Sequence, residues 1–397
     1  MIPRLHKSVW VLFLLAHAVG CSHLFSFRTV FETSPEKEWR MSLYPDGHDF
    51  AFTIIHDADS AYSRRLAPLM EVFDELGLKI TVTVFTFWAS WAKGGDIWRR
   101  WHSSGDSDQE FFAPKAVPLI DEKERAFYQQ LAARGHEIGM HSPSDTSDTR
   151  EDVIRAFTYF KQVFGHYPTV YVEHSERSNK EAQYNEGANP QSMYYTTDLL
   201  NQYGCWISVG GPGALPNAAH SQFYDVLAAN GSPFSTFAAE HYGIVKGFVR
   251  TGKWKEANGE GFLRWYSEEN IDTLEKNRGL ALVYTHLNAL WLAPETRKMR
   301  ESIQNRLRYL AAKDGWFVPA GKILDRVRAM QSLELSYDDE SVKIVNAGSQ
   351  TLDGVTILAP IGGSLCKMGE VLKPNRQGEI VVGTIRPGET LSFTICT

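Results

Sequence analysis

Cysteine is scarce in this 397-residue chain, which has four: Cys21, Cys205, Cys366 and Cys396. None forms the closely spaced pairs of a cysteine-ligated structural zinc site, so that class of small metal domain is excluded. Basic runs are missing too. The formal charge is −6, with 41 Lys and Arg against 47 Asp and Glu and no Lys/Arg-rich block, which argues against a nucleic-acid partner. A P-loop lysine is absent after Gly210-Gly-Pro-Gly213, so that run reads as a turn. No repeat of fixed period is present. The apolar stretch Val9–Leu15 is too short to cross a bilayer.

That stretch follows Arg4, His6 and Lys7, and together they read as an export signal over residues 1–20. Two cleavage readings compete. Ala16-His17-Ala18 fits an ordinary small-x-small site, while Ala18-Val19-Gly20-Cys21 resembles a bacterial lipobox whose cysteine becomes the lipidated terminus. The lipobox is preferred because a rare cysteine stands at the required place, although Ala18 replaces the usual Leu. Either reading implies export: to the periplasm or outer membrane with a lipid anchor at Cys21, or secretion without one. Cys366 and Cys396 share one C-terminal segment and are the natural disulfide pair in an oxidising compartment.

Residues 21–49 read as an N-terminal extension, and 50–332 alternate strand-like runs with helical periods. The runs are Phe50–Ile55, Ile80–Phe85, Glu137–Met140, Thr169–Val172, Cys205–Val209 and Leu280–Thr285. Helical spacing covers Ala67–Leu76, Lys123–Arg134, Asp152–Phe164, Met193–Tyr203, Phe262–Leu274 and Arg300–Ala312. Such alternation implies an α/β fold on a parallel sheet, here expected as a distorted (β/α) barrel. Residues 333–397 lose the helical period and alternate apolar and polar positions between Gly/Pro turns. That pattern implies a small antiparallel β domain, a sandwich with a structural or carbohydrate-adhesive role.

Histidines mark the ends of four of these runs: His56, His141, His174 and His286. A single one would be structural more often than functional. In a parallel α/β fold, however, strand C-termini gather on one side, where sites are built. Asp57, Asp59, Asp145 and Glu173 stand beside the histidines. A zinc-like ion held by one carboxylate and two further side chains keeps a position for water. A second carboxylate can serve as base and an unbound imidazole as acid, a set suited to amide or ester hydrolysis. His136, at the start of its strand, reads as structural. Trp88, Trp91, Trp98 and Trp101 read as core or lid, and His102, His166, His220 and His241 carry no assignment.

Three motifs in order, Ile55-His-Asp-Ala-Asp-Ser60, His141-Ser-Pro-Ser-Asp145 and Leu280-Ala-Leu-Val-Tyr-Thr-His286, resemble those of polysaccharide deacetylases of carbohydrate esterase family four. The resemblance covers roughly residues 50–328. It implies Asp59, His141 and Asp145 as metal ligands, Asp57 as base and His286 as acid, with the roles of Asp57 and Asp59 exchangeable because Ala58 separates them. It also implies a divalent metal, zinc first, with manganese, cobalt or nickel also fitting, and an acetylated polysaccharide as substrate. The family's Arg-x-Pro-Tyr motif is absent. Tyr171-Val-Glu-His-Ser175 stands in its place, so Glu173 and His174 are expected to contact substrate, or His174 to orient the base in place of the arginine. Trp206 is expected to line the cleft. Two other readings remain: an inactive glycan-binding lipoprotein, and a glycoside hydrolase using a carboxylate pair such as Asp57 and Glu173.

Overall fold

A computed structural model describes residues 38–59, 62–87, 117–174, 179–208, 258–287 and 290–396, and the backbone of residue 209 and of three short segments between 220 and 249. The export signal, Cys21 and the tryptophans at 88, 91, 98 and 101 lie outside the described residues. The first described strand is β1 (Arg40–Ser42). Alternation then begins with β2 (Phe50–His56), α1 (Ser63–Glu75), β3 (Thr81–Val84), α2 (Glu122–Ala133) and β4 (Glu137–His141). It continues through α3 (Arg150–Phe164), β5 (Val170–Val172), α4 (Thr197–Gln202), β6 (Trp206–Val209), β7 (His220–Ser221), β8 (Phe234–Ala239) and β9 (Gly243–Val249). The domain closes with α5 (Gly259–Trp265), α6 (Glu268–Lys276), β10 (Gly279–Thr285), α7 (Glu301–Ala311), β11 (Gly315–Trp316) and α8 (Ala320–Met330).

Strands β10, β2, β3, β4, β5, β6 and β9 lie side by side in that order, all parallel. Antiparallel β7 and β8 flank the two ends and do not pair with each other among the described residues. The result is a distorted, incomplete (β/α) barrel. Every residue of β2 and of β10 is buried, as expected for parallel strands covered on both faces. Two sequence expectations are corrected here. Phe262–Leu274 is two helices, because the Ser267 hydroxyl accepts the Asn270 N–H and starts a new one. Met193–Tyr203 shortens to α4, its first residues being turns.

Local chemistry sets the elements that carry the site. Helix α3 begins in a reciprocal capping box between Thr149 and Asp152 and stops at Gly165 in the left-handed region. Helix α1 has no side-chain cap of its own. Buried Glu124 of α2 supplies one, accepting the Ser63 N–H at 2.6 Å and hydroxyl at 2.7 Å, and so fixes the chain just beyond Asp59. On β4, Gly139 is required by space: a Cβ there would lie 2.9 Å from the Val170 carbonyl oxygen. Below it, Glu137 accepts the Gly321 N–H and the Thr81 hydroxyl the Ala320 N–H, so the two side chains together cap α8, whose own N-cap residue is Pro319.

The C-terminal unit comprises β12 (Leu333–Tyr337), β13 (Ser341–Asn346), β14 (Leu352–Leu358), β15 (Ser364–Lys367), β16 (Glu370–Leu372), β17 (Glu379–Ile385) and β18 (Thr390–Cys396). They form two antiparallel sheets, β12-β13-β18-β15-β16 and β1-β14-β17. The second sheet takes its edge strand, β1, from the segment read as an N-terminal extension. Arg326 of α8 ties these parts together, its guanidinium donating to the carbonyls of Leu43 and Asp353 at 2.6 and 2.8 Å. Cys366 and Cys396 are disulfide-bonded, while Cys205 is a buried free thiol.

His136 anchors the opposite end of the sheet from the histidine cluster. It accepts the Ile80 N–H at Nδ1, so Nε2 carries the proton and donates to Asp74. Burial outweighs the attraction of Asp74 and holds this imidazole down at about 4. The unfolded chain therefore binds the extra proton first. The stability from neutral His136 is complete above pH ~6.5 and is lost as pH falls toward 4, by up to about 3 kcal/mol. Urea midpoints between pH 7.5 and 4 should fall, and His136→Gln should flatten that slope. Replacing both Cys366 and Cys396 by Ser, which opens a 30-residue loop, should lower the stability of the sandwich by roughly 3 kcal/mol in thermal or urea unfolding.

Candidate metal centre

The strand period of two sorts the side chains at the sheet's C-terminal edge. His141 ends β4 and His174 lies two residues beyond β5; by that period they share a face with Gly139 and Val172, whereas Glu173 turns away. Asp57 follows β2 and His286 follows β10, and the Asp57 N–H donates to the Thr285 carbonyl at 3.0 Å. Beyond it the Asp59 N–H turns back onto Asp57 Oδ1 at 2.9 Å. This small turn brings both carboxylates under the histidines.

Three donors form a closed triangle. His174 Nδ1 lies 3.0 Å from Asp59 Oδ1, His141 Nε2 lies 3.4 Å from the same oxygen, and the two ring nitrogens are 3.3 Å apart. A second triad, Asp57, Asp59 and His286, shares Asp59 with the first. Asp57 is the central group, 3% exposed. Its Oδ1 faces His141 Nε2 at 3.1 Å, and its Oδ2 faces His286 Nε2 at 3.1 Å while accepting the Tyr284 phenol. The Phe85 ring lies 4.9 Å from that of His141 and 5.3 Å from that of His174, walling the histidines with apolar surface.

Strained backbone supports this arrangement. Ser142, directly after His141, has φ 53, a left-handed conformation unusual for serine. From there its N–H donates to the Val172 carbonyl and its Oγ accepts the His174 N–H at 2.9 Å, tying the loops of His141 and His174 together. The loop closes through Asp148, which accepts both the Ser144 N–H and hydroxyl and donates its own N–H to Glu181. Burial and the neighbouring Glu181 push the Asp148 carboxyl up to about 8.

Electrostatics show why these groups call for a cation. Burial alone favours neutral acids, yet His141 and His286 hold Asp57 well below the usual carboxylate range. Asp59 is lowered likewise, with His141, His174 and His286 outweighing burial. Burial would depress His141, but Asp57 and Asp59 overcome it and raise this imidazole to about 9. Two ring nitrogens that face one carboxylate oxygen and each other can be satisfied together by a shared cation. Zinc bonds to such donors are ~2.0–2.1 Å, so tetrahedral neighbours stand about 3.3–3.4 Å apart. The observed edges of 3.0 to 3.4 Å match that span. Neutral imidazole and carboxylate are also the donor types that zinc takes, so the residues fit the metal.

The placement redistributes several expected roles. Asp145 is not among the donors lying within 4.8 Å of one another; His174 completes that group with Asp59 and His141. Asp145 stays close enough for His174 to draw on its carboxyl, which burial nonetheless raises. Glu173 is buried and accepts the Gln183 N–H at 2.8 Å, which fixes that loop. Trp206 opens β6 in register with Val170, four residues before His174, hence about 13 Å down the sheet. The Arg328 guanidinium covers its ring at 5.2 Å, so Trp206 is core at the other end and not cleft wall. His56 faces behind the site. Its Nδ1 accepts the Leu287 N–H at 3.2 Å, and burial lowers it to about 4. Tyr284, Ser142 and Asp148 were not singled out from the sequence, although Tyr284 stands two residues before His286 and so shares its face.

No protein-family model matches the chain, and no curated protein does. Among solved structures it is similar to one described as a polysaccharide deacetylase from Mycobacterium smegmatis (14% identity, TM-score 0.43, 72% of this chain and 93% of that one). It is also similar to one described as a polysaccharide deacetylase from Pseudomonas aeruginosa PAO1 (12%, TM-score 0.40, 70% and 89%). A third is a family 4 acetyl xylan esterase from Clostridium thermocellum in complex with a cobalt ion (12%, TM-score 0.26, 63% and 96%). At these scores the matches carry no functional inference, which rests on the site.

Substitution separates the two candidate ligands. His174→Ala should weaken zinc binding by more than about 100-fold, since even outer partners of metal ligands are worth 10–100-fold. Asp145→Asn should change it several-fold at most. Competition with a chromophoric chelator measures both.

Proposed function

We propose that this protein is a metal-dependent hydrolase that removes acetyl groups from an extracellular or cell-envelope polysaccharide. The observation that carries this reading is the triangle of Asp59, His141 and His174 with the carboxylate of Asp57 against it and His286 on that carboxylate. Asp59, His141 and His174 would hold the ion. When bound, a divalent metal there supplies a Lewis acid that brings the pKa of water toward neutrality and draws charge from an acyl oxygen.

The chain's own residues supply the rest. Asp57 is anchored through its backbone to β10 and directs Oδ1 toward the donor triangle, where it can take the proton of an attacking water. His286 Nε2 lies 3.1 Å from the other oxygen of Asp57, so base and acid are in contact. His286 delivers a proton to the departing sugar amine or hydroxyl. Phe85 excludes water from the side of the two ligand histidines, which strengthens each charge interaction inside. Glu173 accepts the Gln183 N–H through Oε1, and no observation favours pairing it with Asp57 as a glycoside hydrolase would need.

Export as a lipoprotein through Cys21 is part of the proposal. Its supports are the signal-like sequence of residues 1–20 and the Cys366–Cys396 disulfide, a bond suited to an oxidising compartment. No helix among the described residues is long and apolar enough to cross a membrane.

The test is acetate release from a panel of N- and O-acetylated glycans, using protein that lacks its first 21 residues. Acetate should appear, vanish with a chelator and return with zinc, and Asp57→Asn should slow it by roughly 10²–10⁴-fold. Bound zinc with no acetate from any glycan would instead favour a glycan-binding protein that lacks turnover.

A further inference from the structure

We infer that Tyr284 is a positioning residue for Asp57, an inference that rests on the hydrolase reading above. Tyr284 lies on β10, whose parallel register sets it opposite Ile55 of β2, two residues before Asp57. Its ring is 5% exposed and its phenol donates to Asp57 Oδ2. A phenol this deeply buried needs such a partner, and a charged acceptor gives the stronger bond.

The two oxygens of Asp57 are thereby given different work. Oδ1 accepts the Asp59 N–H at 2.9 Å and faces His141 Nε2 at 3.1 Å, on the side of the donor triangle. Oδ2 is held by the phenol and faces His286 Nε2 at 3.1 Å. The terminal torsion of an aspartate is broad. In the hydrolase reading His141 turns to the ion and His286 to the leaving group, so without the phenol only the Asp59 N–H would steadily hold the carboxylate. A backbone N–H on one oxygen and a phenol on the other fix its plane and keep Oδ1 aimed at the site. The phenol also shares Oδ2 with His286, so that oxygen does not bind the imidazole proton alone. Tyr284 acts only through Asp57.

The experiment compares wild type, Tyr284→Phe, Asp57→Asn and the double variant in zinc-loaded full-length mature protein. Tyr284→Phe should keep its zinc content and its KM within about twofold, while kcat falls on the order of 10–100-fold. The double variant should be no slower than Asp57→Asn alone, because the tyrosine has nothing left to orient. Replacing Tyr284 by p-aminophenylalanine, which retains a donor in the same place, should recover most of the lost kcat. Unchanged kcat in Tyr284→Phe, an additive loss in the double variant, or no recovery with the amino analogue would overturn the inference. If wild type binds zinc but releases no acetate, the hydrolase reading fails separately. Crystal structures then decide the positioning role: a carboxylate turned in Tyr284→Phe supports it, and an unmoved one overturns it.

Discussion

Asp57 and Asp59 place two carboxylates at the end of one strand, with the first almost wholly out of water. Negative charge in that setting is costly unless it is met at hydrogen-bond distance, and removing one partner of a buried pair commonly costs about 3–5 kcal/mol. Here the compensation comes from His141, His174 and His286, each delivered by a different strand or the residues just after it. The C-terminal edge of the sheet is organised around this balance. β10 and β2 must be neighbours for His286 and Tyr284 to reach Asp57, and β4 and β5 for His141 and His174 to share Asp59.

Much of the surrounding structure keeps those groups from drifting. Glu124 caps α1 just after the acidic turn, Ser142 accepts a strained backbone to tie His141 to His174, and Asp148 closes the loop between β4 and α3. At the far end, Glu137 caps α8 and His136 bridges Ile80 and Asp74, so the strands are pinned below as well as above. The sandwich attaches through Arg326 and through β1, which comes from before the barrel in sequence. Asp57 and Asp59 favour a proton on His141, so an ion bound there would have to displace it, which links metal binding to proton release.

The barrel was legible because parallel strands buried on both faces read as short continuous apolar runs, with histidine ending β2 and β4 and directly following β10. The strand order and the β8–β9 hairpin were not legible. Non-local pairing leaves no periodic trace, and the run Phe234–Ala239 mixes small polar residues with only two rings. Within the site, Asp57, Asp59, His141 and His286 could be named from their motifs. That His174, and not Asp145, stands with Asp59 and His141 could not be read there, because a spacing of four within a loop does not say where a side chain points. The period of two would have helped: it sets His174 on the face of His141's strand partner, Val172, and turns Glu173 away. It also sets Tyr284 beside His286. Trp206 opens β6 and so lies at the N-terminal end of the sheet, away from the histidines, a position its place at the start of the run Cys205–Val209 already indicates.

The central claim is that Asp59, His141 and His174 form one metal site with Asp57 held beside it. A crystal structure of the mature protein grown with zinc, with the ion located by anomalous scattering, tests it most directly. The account predicts a single ion about 2.0–2.1 Å from Asp59, His141 Nε2 and His174 Nδ1, with Asp57 outside the ligand set and still bonded to Tyr284. An ion held by Asp145 with His174 turned away, or no ion at these three residues, would contradict it.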